Sequence, residues 1–266
     1  MSVLVVIPAR FASSRYPGKP LAALRGAGGL SRSLIERSWR AAIAVRGVDK
    51  VVVATDDDRI REACAAFGAE VVMTSAECAN GTERCAEAYR HLRGTQDIVV
   101  NLQGDAPLTP PWFIEALVSA LQADPAAEIA TPVLRCDGRA LQGLVEDRRA
   151  GRVGGTTAVF GASGQALYFS KEVIPYTGRD YAPDAETPVF HHVGVYAYRP
   201  DALAAYPGWP VGPLERLEGL EQLRFLENGR HVKCVEVRAE GRQFWELNNP
   251  EDVPRIEAMM AEMGME

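Results

Sequence analysis

The chain has 266 residues, of which 47% are hydrophobic, and this suits one large domain or one domain with a sizeable insertion. Its net charge of −6 disfavours general nucleic-acid binding, which needs an excess of basic charge. No apolar run approaches the length of a membrane helix, so we expect no membrane contact. The five cysteines are odd in number and show no CxxC pair, which indicates reduced thiols and a cytoplasmic protein.

The first half of the chain alternates strand and helix patterns. Strands are predicted at residues 2–8, 50–57, 70–74, 97–107 and 128–133, and helices at 30–45, 58–67, 82–92 and 110–121. Runs of Val and Ile separated by helices are typical of a parallel sheet covered on both faces. Because ligands bind at the carboxyl ends of such strands, the strand-end loops should gather at one edge. These loops lie at Pro8, Thr55, Thr74 and Gln103.

The second half is more mixed. A glycine-rich stretch at 151–164 is followed by an apolar segment at 165–176 and a predicted surface loop at 180–188. Strands are predicted at 191–200 and 231–238, and helices at 213–226 and 254–263, with a turn at 244–253.

The loop after the first strand is basic. It carries Arg10, Arg15 and Lys19 between prolines and glycine, which restrict or free the backbone and can hold a loop in one shape. Arginine forks and a lysine point charge suit a polyphosphate. The loop is neither a Walker loop nor a dinucleotide fingerprint, so a solvated surface loop is an equal alternative.

Two further segments carry candidate chemistry. Asp105 follows a buried strand in a Gly-Asp turn, where a carboxylate can bind Mg²⁺ or simply stabilise the turn. Asn80, Gly81 and Thr82 open a helix that could contact a base or ribose, or could be an ordinary helix cap. The acids at 56–58 are predicted to cap a helix, with Asp57 or Asp58 as the cap.

Eight motifs in order resemble the CMP-Kdo synthetases, which are 3-deoxy-manno-octulosonate cytidylyltransferases. They are PARFASSRYPGKPL, VVVATDD, NGTER, VNLQGDAP, ALYFSKEVIPY, HHVGVYAYR, PLERLEGLEQLR and the NPEDV turn. The resemblance implies an α/β, Rossmann-like nucleotidyltransferase fold with a mostly parallel central sheet and a dimerisation and acceptor-binding segment in the second half. It implies one domain over 1–266, with a CTP-binding half at about 1–135, the acceptor segment at about 136–240, and the metal turn with a C-terminal helix at 241–266.

The implied reaction is transfer of CMP from CTP to an anionic acceptor with release of pyrophosphate, in a Mg²⁺-dependent homodimer. The resemblance gives the catalytic roles to Arg10, Lys19 and Asp105. It gives nucleotide binding to Pro8, Ala9, Arg10, Ser14, Arg15, Lys19, Asn80, Gly81, Thr82, Arg84 and Gln103. It gives acceptor binding to Gln103, Tyr168, Lys171, His191, His192, Tyr196, Glu221 and Gln222. The implied metal ligands are Asp105 and Asn248, with Glu246 as an alternative.

The chain departs from the family pattern mainly at the acceptor side. The replacements are Asn248 for aspartate, Ala106 for glutamate, Thr157 for lysine, and Lys171 and His191 for arginines. Loss of arginine removes bidentate carboxylate recognition, which favours retained CTP use with an altered acceptor. The acceptor could then be Kdo held differently, a modified ulosonic acid, or a small anion such as phosphonoformate. The alternative from another class is a non-catalytic paralogue that binds CTP.

Overall fold

The computed structural model describes residues 1–12, 16–153, 155–242, 245–247 and 249–266. Contacts divide the chain into two compact units, Met1–Glu115 with Ala239–Glu266, and Ala116–Arg238. The strands are β1 (Val3–Ala9), β2 (Ala23–Arg25), β3 (Ser31–Ser33), β4 (Lys50–Thr55), β5 (Glu70–Met73), β6 (Ile98–Leu102), β7 (Ile129–Asp137), β8 (Thr156–Phe160), β9 (Ala166–Ser170), β10 (Glu186–His192), β11 (Val195–Tyr198) and β12 (Val232–Val237). The helices are α1 (Leu34–Ile43), α2 (Asp58–Ala66), α3 (Gly81–His91), α4 (Pro111–Ala123), α5 (Gly138–Arg149), α6 (Pro200–Ala205), α7 (Pro213–Glu218), α8 (Leu223–Glu227) and α9 (Asp252–Glu262).

The first unit contains a parallel sheet in the order β5-β4-β1-β6. Every residue of β1 is buried, as is every residue of β6, which explains why both strands are mostly apolar, with Asn101 as the polar residue of β6. The prediction of a Rossmann-like α/β fold with a parallel sheet is therefore confirmed in this unit.

The carboxyl ends of these strands lie together, as the sequence predicts. Ala9 pairs with Thr55, and Thr55 pairs with Met73, so three strands end at the same level. The backbone N–H of Thr74 donates to Thr55 O at 2.9 Å and continues this alignment past the strand ends. The loops that carry the candidate residues are thus brought to one edge of the sheet.

The predicted helix at 30–45 begins later than expected. Its first residues form β3, which pairs with β2 as a short hairpin. The Ser33 hydroxyl then accepts a hydrogen bond from the N–H of Glu36 and caps α1, so the helix starts at Leu34. The predicted cap of α2 is confirmed at Asp57, which accepts from the N–H of Arg59.

The C-terminal segment returns to the first unit. The N–H of Leu247 donates to the carbonyl of Asp105 at 2.9 Å. Leu247 is buried in an apolar cluster that joins this segment to both β2 and α9. The buried members of the cluster are Leu24, Leu34, Leu108, Leu247, Ile256, Met259 and Met260.

The second unit contains a mixed sheet in the order β11-β7-β10-β8-β9, with β12 parallel to β7. The pairs β7–β10, β7–β11, β10–β8 and β8–β9 are antiparallel. The β7 strand extends four residues beyond the predicted 128–133 segment, to Asp137. Its side chain caps α5 by accepting from Ala140 N, and sequence reasoning missed this helix along with α6.

Four segments of this unit differ from what the sequence predicts. The predicted strand 191–200 is two strands, because β10 ends at His192 and β11 starts at Val195. The predicted loop 180–188 contains the start of β10, and the glycine-rich stretch contains β8. The predicted helix 213–226 is broken at Gly219, whose left-handed φ of 62° ends α7.

Candidate active site

Lys19 is held at the edge of the first unit's sheet by a tight turn. Gly18 adopts a left-handed φ of 72°, and its N–H donates to the carbonyl of Phe11 at 2.9 Å. A side chain at this position would meet the Phe11 ring at 3.0 Å, so glycine satisfies both the backbone and the space. The turn leads into the short 3-10 helix Lys19–Leu21.

Asp105 lies beside this lysine. The Lys19 Nζ atom is 2.7 Å from Asp105 Oδ2, and the two side chains are 15% and 26% exposed. At the neighbouring Gly104 an added Cβ would come 2.8 Å from the carbonyl oxygen of Pro8, so the turn before Asp105 passes close to the end of β1. The structure therefore brings the predicted phosphate-binding lysine and the predicted metal ligand into direct contact.

The helix α3 begins at the same edge. Asn80 Oδ1 accepts a hydrogen bond from Glu83 N at 2.9 Å and caps the helix. At Gly81, an added Cβ would lie 2.8 Å from the side-chain nitrogen of Gln103, which places Gln103 directly against the start of α3. Asn80, Gly81 and Gln103 are thus neighbours, and Thr82 is fully buried behind them.

Asn101 joins this group, and sequence reasoning missed it. The residue is fully buried on β6, and neither its amide nitrogen nor its amide oxygen has a partner in the described part of the chain. Its nitrogen lies 3.3 Å from the position of a Cβ at Gly81. A buried amide without partners is costly, and such groups concentrate where a ligand or water supplies the missing bonds. The polar residue inside the apolar strand IVVNL was the available signal.

The Arg84 side chain is buried and contacts other side chains of the protein. Its side chain is 3% exposed, its Nη1 donates to Thr74 Oγ1 at 2.6 Å, and the same atom is 3.5 Å from Asp56 Oδ1. These contacts fasten α3 to the ends of β4 and β5. A direct role of Arg84 in nucleotide binding stays a prediction.

Arg10 follows β1, whose last residues Pro8 and Ala9 are buried. The Arg10 side chain is exposed and makes no ion pair with any residue that the structure describes. The predicted site residues Ser14, Arg15 and Asn248 lie outside the described residues.

The metal prediction rests on Asp105 and the segment around Glu246. The Leu247–Asp105 backbone hydrogen bond brings the chain next to Glu246 to the loop of Asp105. Across the described ranges, no group of three His, Cys, Asp or Glu residues could hold a metal ion. A Mg²⁺ ion is commonly bound by one or two carboxylates together with substrate phosphates and water, so a partly exposed carboxylate beside a cationic loop fits this metal.

In the second unit, the Glu218 carboxylate accepts hydrogen bonds from three residues at or next to predicted acceptor-binding positions. It accepts from Ser170 Oγ at 2.7 Å, from Lys171 N at 2.9 Å and from Tyr168 OH at 3.3 Å. Partial burial and the nearby Glu218 charge raise the pKa of the Tyr168 hydroxyl above its usual value. Sequence reasoning did not single out Glu218, although it lies in the PLERLEGLEQLR motif.

The two adjacent histidines are held neutral. Burial lowers the pKa of His191 to about 4, and burial with the neighbouring His191 lowers the pKa of His192 to about 3. The His192 Nε2 atom lies 2.9 Å from Thr131 Oγ1. At neutral pH neither ring supplies a positive charge to an anionic acceptor.

Tyr196 and Gln222 form a second polar contact in this unit. The Tyr196 hydroxyl donates to Gln222 Oε1 at 3.1 Å, and the Gln222 amide nitrogen is buried with no partner among the residues that the structure covers. The carbonyl of Glu221 accepts from the Tyr206 hydroxyl at 3.1 Å. Tyr196 also lies 5.6 Å from the His192 ring, which links these two predicted residues.

A buried ion pair supports this segment. Arg224 donates to both Glu215 oxygens, at 2.7 and 2.8 Å, and the side chains are 2% and 9% exposed. The pair ties α8 back to α7 across the break at Gly219. The charges of Glu215 and Arg224 in this motif are therefore explained by their contact with each other, and no role in substrate binding is needed for them.

Comparison with known proteins gives consistent matches. Residues 4–234 match the model of a family described as cytidylyltransferase. The chain is 47% identical over 264 residues, covering 99% of both chains, to the 3-deoxy-manno-octulosonate cytidylyltransferase of Maricaulis maris. It is 39% identical over 263 residues to the mitochondrial enzyme of the same name from Arabidopsis thaliana, covering 99% of this chain and 84% of the relative.

A solved structure is similar over the whole chain. It is a CMP:2-keto-3-deoxy-manno-octonic acid synthetase complexed with CTP, with a TM-score of 0.83 and 33% identity over 99% of this chain and 100% of its own. Among the described helices, none is both long and apolar enough to cross a membrane.

Proposed function

This chain belongs to the 3-deoxy-manno-octulosonate cytidylyltransferase (CMP-Kdo synthetase) family and is a CTP-dependent nucleotidyltransferase, and we propose that its acceptor is Kdo. In the proposed reaction an acceptor hydroxyl oxygen bonds to the α-phosphorus of CTP, the bond from that phosphorus to the β-phosphate oxygen breaks, and pyrophosphate leaves. The hydroxyl proton passes to solvent. The observation that carries the choice of Kdo is the 47% identity over the full length of a relative that bears this activity in its name.

The first unit supplies the nucleotide residues in this proposal. Lys19 and Arg10 neutralise charge on the triphosphate, and this assists departure of pyrophosphate because the leaving group carries the developing charge. Gly81 and Gln103, side by side at the start of α3, approach the nucleoside. The unpartnered amide of Asn101 supports a polar ligand at this place.

Asp105 is the residue proposed to hold Mg²⁺, with Glu246 or Asn248 as the second ligand. When bound, the ion would supply Lewis-acid stabilisation of the phosphate oxygens. In the structure Asp105 is paired with Lys19, so the same carboxylate also orients the lysine at the edge of the sheet.

The second unit supplies the acceptor residues. Lys171 provides a cation for the acceptor carboxylate, while Tyr168, Tyr196 and Gln222 provide hydrogen-bonding groups. A small anion such as phosphonoformate is the second candidate. The observation behind it is that Lys171 and His191 stand where the family has arginines, and the neutral His191, whose pKa burial lowers to about 4, cannot replace an arginine in recognising the Kdo carboxylate.

We also propose a cytoplasmic homodimer. All five cysteines are free, which suits a reducing compartment. Leu167 and Leu217 are 67% and 83% exposed, and each precedes one partner of the Tyr168–Glu218 hydrogen bond. Exposed leucines placed in this way support a surface that a second copy covers.

A pyrophosphate-release assay with CTP and Mg²⁺ tests the proposal. Kdo is compared with other keto-sugar acids and with phosphonoformate at equal concentration. Rapid release with Kdo supports the proposed acceptor, and release with phosphonoformate but not Kdo supports the second candidate. CTP binding without release for any acceptor would contradict both.

A further inference from the structure

Two adjacent residues at the end of α7 lie against Lys171: Glu218 accepts a hydrogen bond from its backbone N–H, and Gly219 lies beside its ammonium. We propose that Glu218 and Gly219 are positioning residues that place the Lys171 ammonium for recognition of the acceptor's carboxylate. This inference rests on the proposed function, because it assigns an anionic acceptor to the second unit.

Glu218 fixes the main chain at the end of β9. Its carboxylate accepts from the backbone N–H of Lys171 at 2.9 Å and from the Ser170 hydroxyl at 2.7 Å. The Tyr168 hydroxyl, two residues earlier on the same strand, donates to it at 3.3 Å. Charge-assisted hydrogen bonds of this kind are shorter and stronger than neutral ones, so they define where the Lys171 side chain starts.

Gly219 leaves the space that the ammonium occupies. A Cβ at this residue would lie 3.0 Å from Lys171 Nζ, so the end of the lysine side chain would have to shift by a few tenths of an ångström. The backbone φ of 62° also favours glycine, and the N–H of Gly219 donates to Glu215 O at 2.7 Å to end the helix. A cation near a helix C-terminus is generally favoured, because the last carbonyl groups carry partial negative charge.

The charge of Lys171 is not neutralised by a direct ion pair. No carboxylate lies within salt-bridge distance of its Nζ in the part of the chain described. The adjacent Glu172 is paired with Arg148, and both Glu218 oxygens already accept hydrogen bonds from β9. A positioned, partly exposed cation of this kind suits an external carboxylate, which it would bind as a point charge.

The first test compares glycines of equal backbone strain. Gly219→Ala should raise the KM for Kdo about threefold, less than the loss of a whole charge-assisted hydrogen bond, with the KM for CTP unchanged. Gly229→Ala is the matched control, because Gly229 has a φ of 70° but nothing within 4 Å of an added Cβ. Gly219→Asn separates the effect of backbone strain from the effect of contact with Lys171. Asparagine tolerates the left-handed backbone, but its Cβ still occupies the space beside the ammonium.

Coupling to Lys171 distinguishes positioning from a general structural effect. Lys171→Gln alone should raise the KM for Kdo, and adding Gly219→Ala should then cause little further change. Glu218→Gln should also raise the KM for Kdo, because an amide offers one acceptor oxygen instead of two. Full additivity of the Gly219 and Lys171 changes would overturn the proposal.

A second measurement does not depend on turnover. Limited acetylation followed by mass spectrometry reports the reactivity of each lysine, and the rate at Lys171 should change in Gly219→Ala but not in Gly229→Ala. An unchanged acetylation rate at Lys171 in Gly219→Ala would overturn the proposed positioning of the ammonium, independently of which acceptor the enzyme uses. Failure of the wild-type protein to use Kdo would instead contradict the proposed function alone.

Discussion

At the scale of single residues, the contact between Lys19 and Asp105 joins two groups that nucleotidyl transfer would use for different purposes. The ammonium and the carboxylate are 2.7 Å apart and both are partly exposed. Each therefore balances the other's charge before substrate arrives. A metal at Asp105 would compete with Lys19 for the carboxylate oxygen, and this would free the lysine to meet a phosphate.

The first prediction concerns this carboxylate. Asp105→Asn keeps the size of the side chain but removes its charge, so Mg²⁺-dependent pyrophosphate release should fall by roughly a hundredfold or more, since metal stabilisation is worth several kcal/mol. The measurement is turnover across a Mg²⁺ titration. Asp58→Asn is the control, because Asp58 is an exposed helix residue whose ion pair with Arg61 lies on the surface. Wild-type turnover in Asp105→Asn would remove Asp105 from the metal role.

The second prediction concerns the buried histidine. The pKa of His192 is lowered to about 3, so below pH 6.5 the unfolded chain binds a proton that the folded chain excludes. The free energy of unfolding should therefore be highest above pH 6.5 and fall as the pH drops. At pH 5 the loss from this group is about 2 kcal/mol.

His192→Gln removes this titration and should make the loss of stability between pH 7 and pH 5 smaller, although His191, whose pKa is lowered to about 4, still contributes to it. Urea denaturation at the two pH values measures the difference, with His91→Gln at an exposed histidine as the control. If His192→Gln lost as much stability on acidification as the wild type, the buried ring would not be the cause.

The individual residues also show what sequence reasoning could achieve. The contact of Lys19 with Asp105 and the neighbourhood of Asn80, Gly81 and Gln103 follow from strand-end loops meeting at one edge. The burial of Arg84 could not be predicted, because its partners Thr74 and Asp56 come from two other loops. A long polar side chain looks the same in sequence whether it meets a ligand or its own protein.

At the scale of elements, the start of α2 was easier to predict than the break between α7 and α8. Asp57 is recognisable as a cap because its short side chain, which can accept a hydrogen bond from the backbone, directly precedes a helical pattern. The break in the predicted helix 213–226 depends on the backbone of Gly219, and a glycine within a helical pattern does not by itself indicate a stop. The sequence likewise predicts one strand where the structure has β10 and β11. An apolar run does not indicate where one strand ends and the next, with different pairing, begins.

The third prediction compares two helix caps. Asn80 caps α3 at the candidate nucleotide site, and Asp137 caps α5 in the other unit by accepting from Ala140 N at 2.7 Å. Asn80→Ala and Asp137→Ala should each lower the free energy of unfolding by about 1 kcal/mol. Only Asn80→Ala should raise the KM for CTP, because the start of α3 is the proposed contact with the nucleoside. Equal CTP kinetics in the two variants would show that the cap at Asn80 is structural only.

At the scale of the whole molecule, the first unit is built from both ends of the chain. Residues Ala239–Glu266 belong with Met1–Glu115, and the hydrogen bond from Leu247 to Asp105 spans 142 positions. Local patterns predicted α9 and the turn before it, but not the strand-end loop they meet. Only the resemblance to a family linked the turn to the proposed metal site.

Asp252 fastens this returning segment, and the last prediction concerns it. Its carboxylate accepts from Trp245 Nε1 at 3.0 Å and from Asn249 N at 2.7 Å, so it holds both sides of the segment that reaches Asp105. Asp252→Ala should loosen the proposed second metal ligand and raise the Mg²⁺ concentration for half-maximal pyrophosphate release roughly tenfold, as loss of a residue supporting a metal ligand does.

The matched control lies on the same helix. Glu257 Oε1 accepts from Arg25 N at 2.7 Å and anchors α9 to β2 instead of to the metal turn. Glu257→Ala should lower the thermal unfolding midpoint without changing the Mg²⁺ requirement, whereas Asp252→Ala should change both. An equal Mg²⁺ shift in the two variants would mean that general loosening of α9, and not the turn at Asp252, controls the metal. A shift confined to Asp252→Ala would locate the control in the contact between the two ends of the chain.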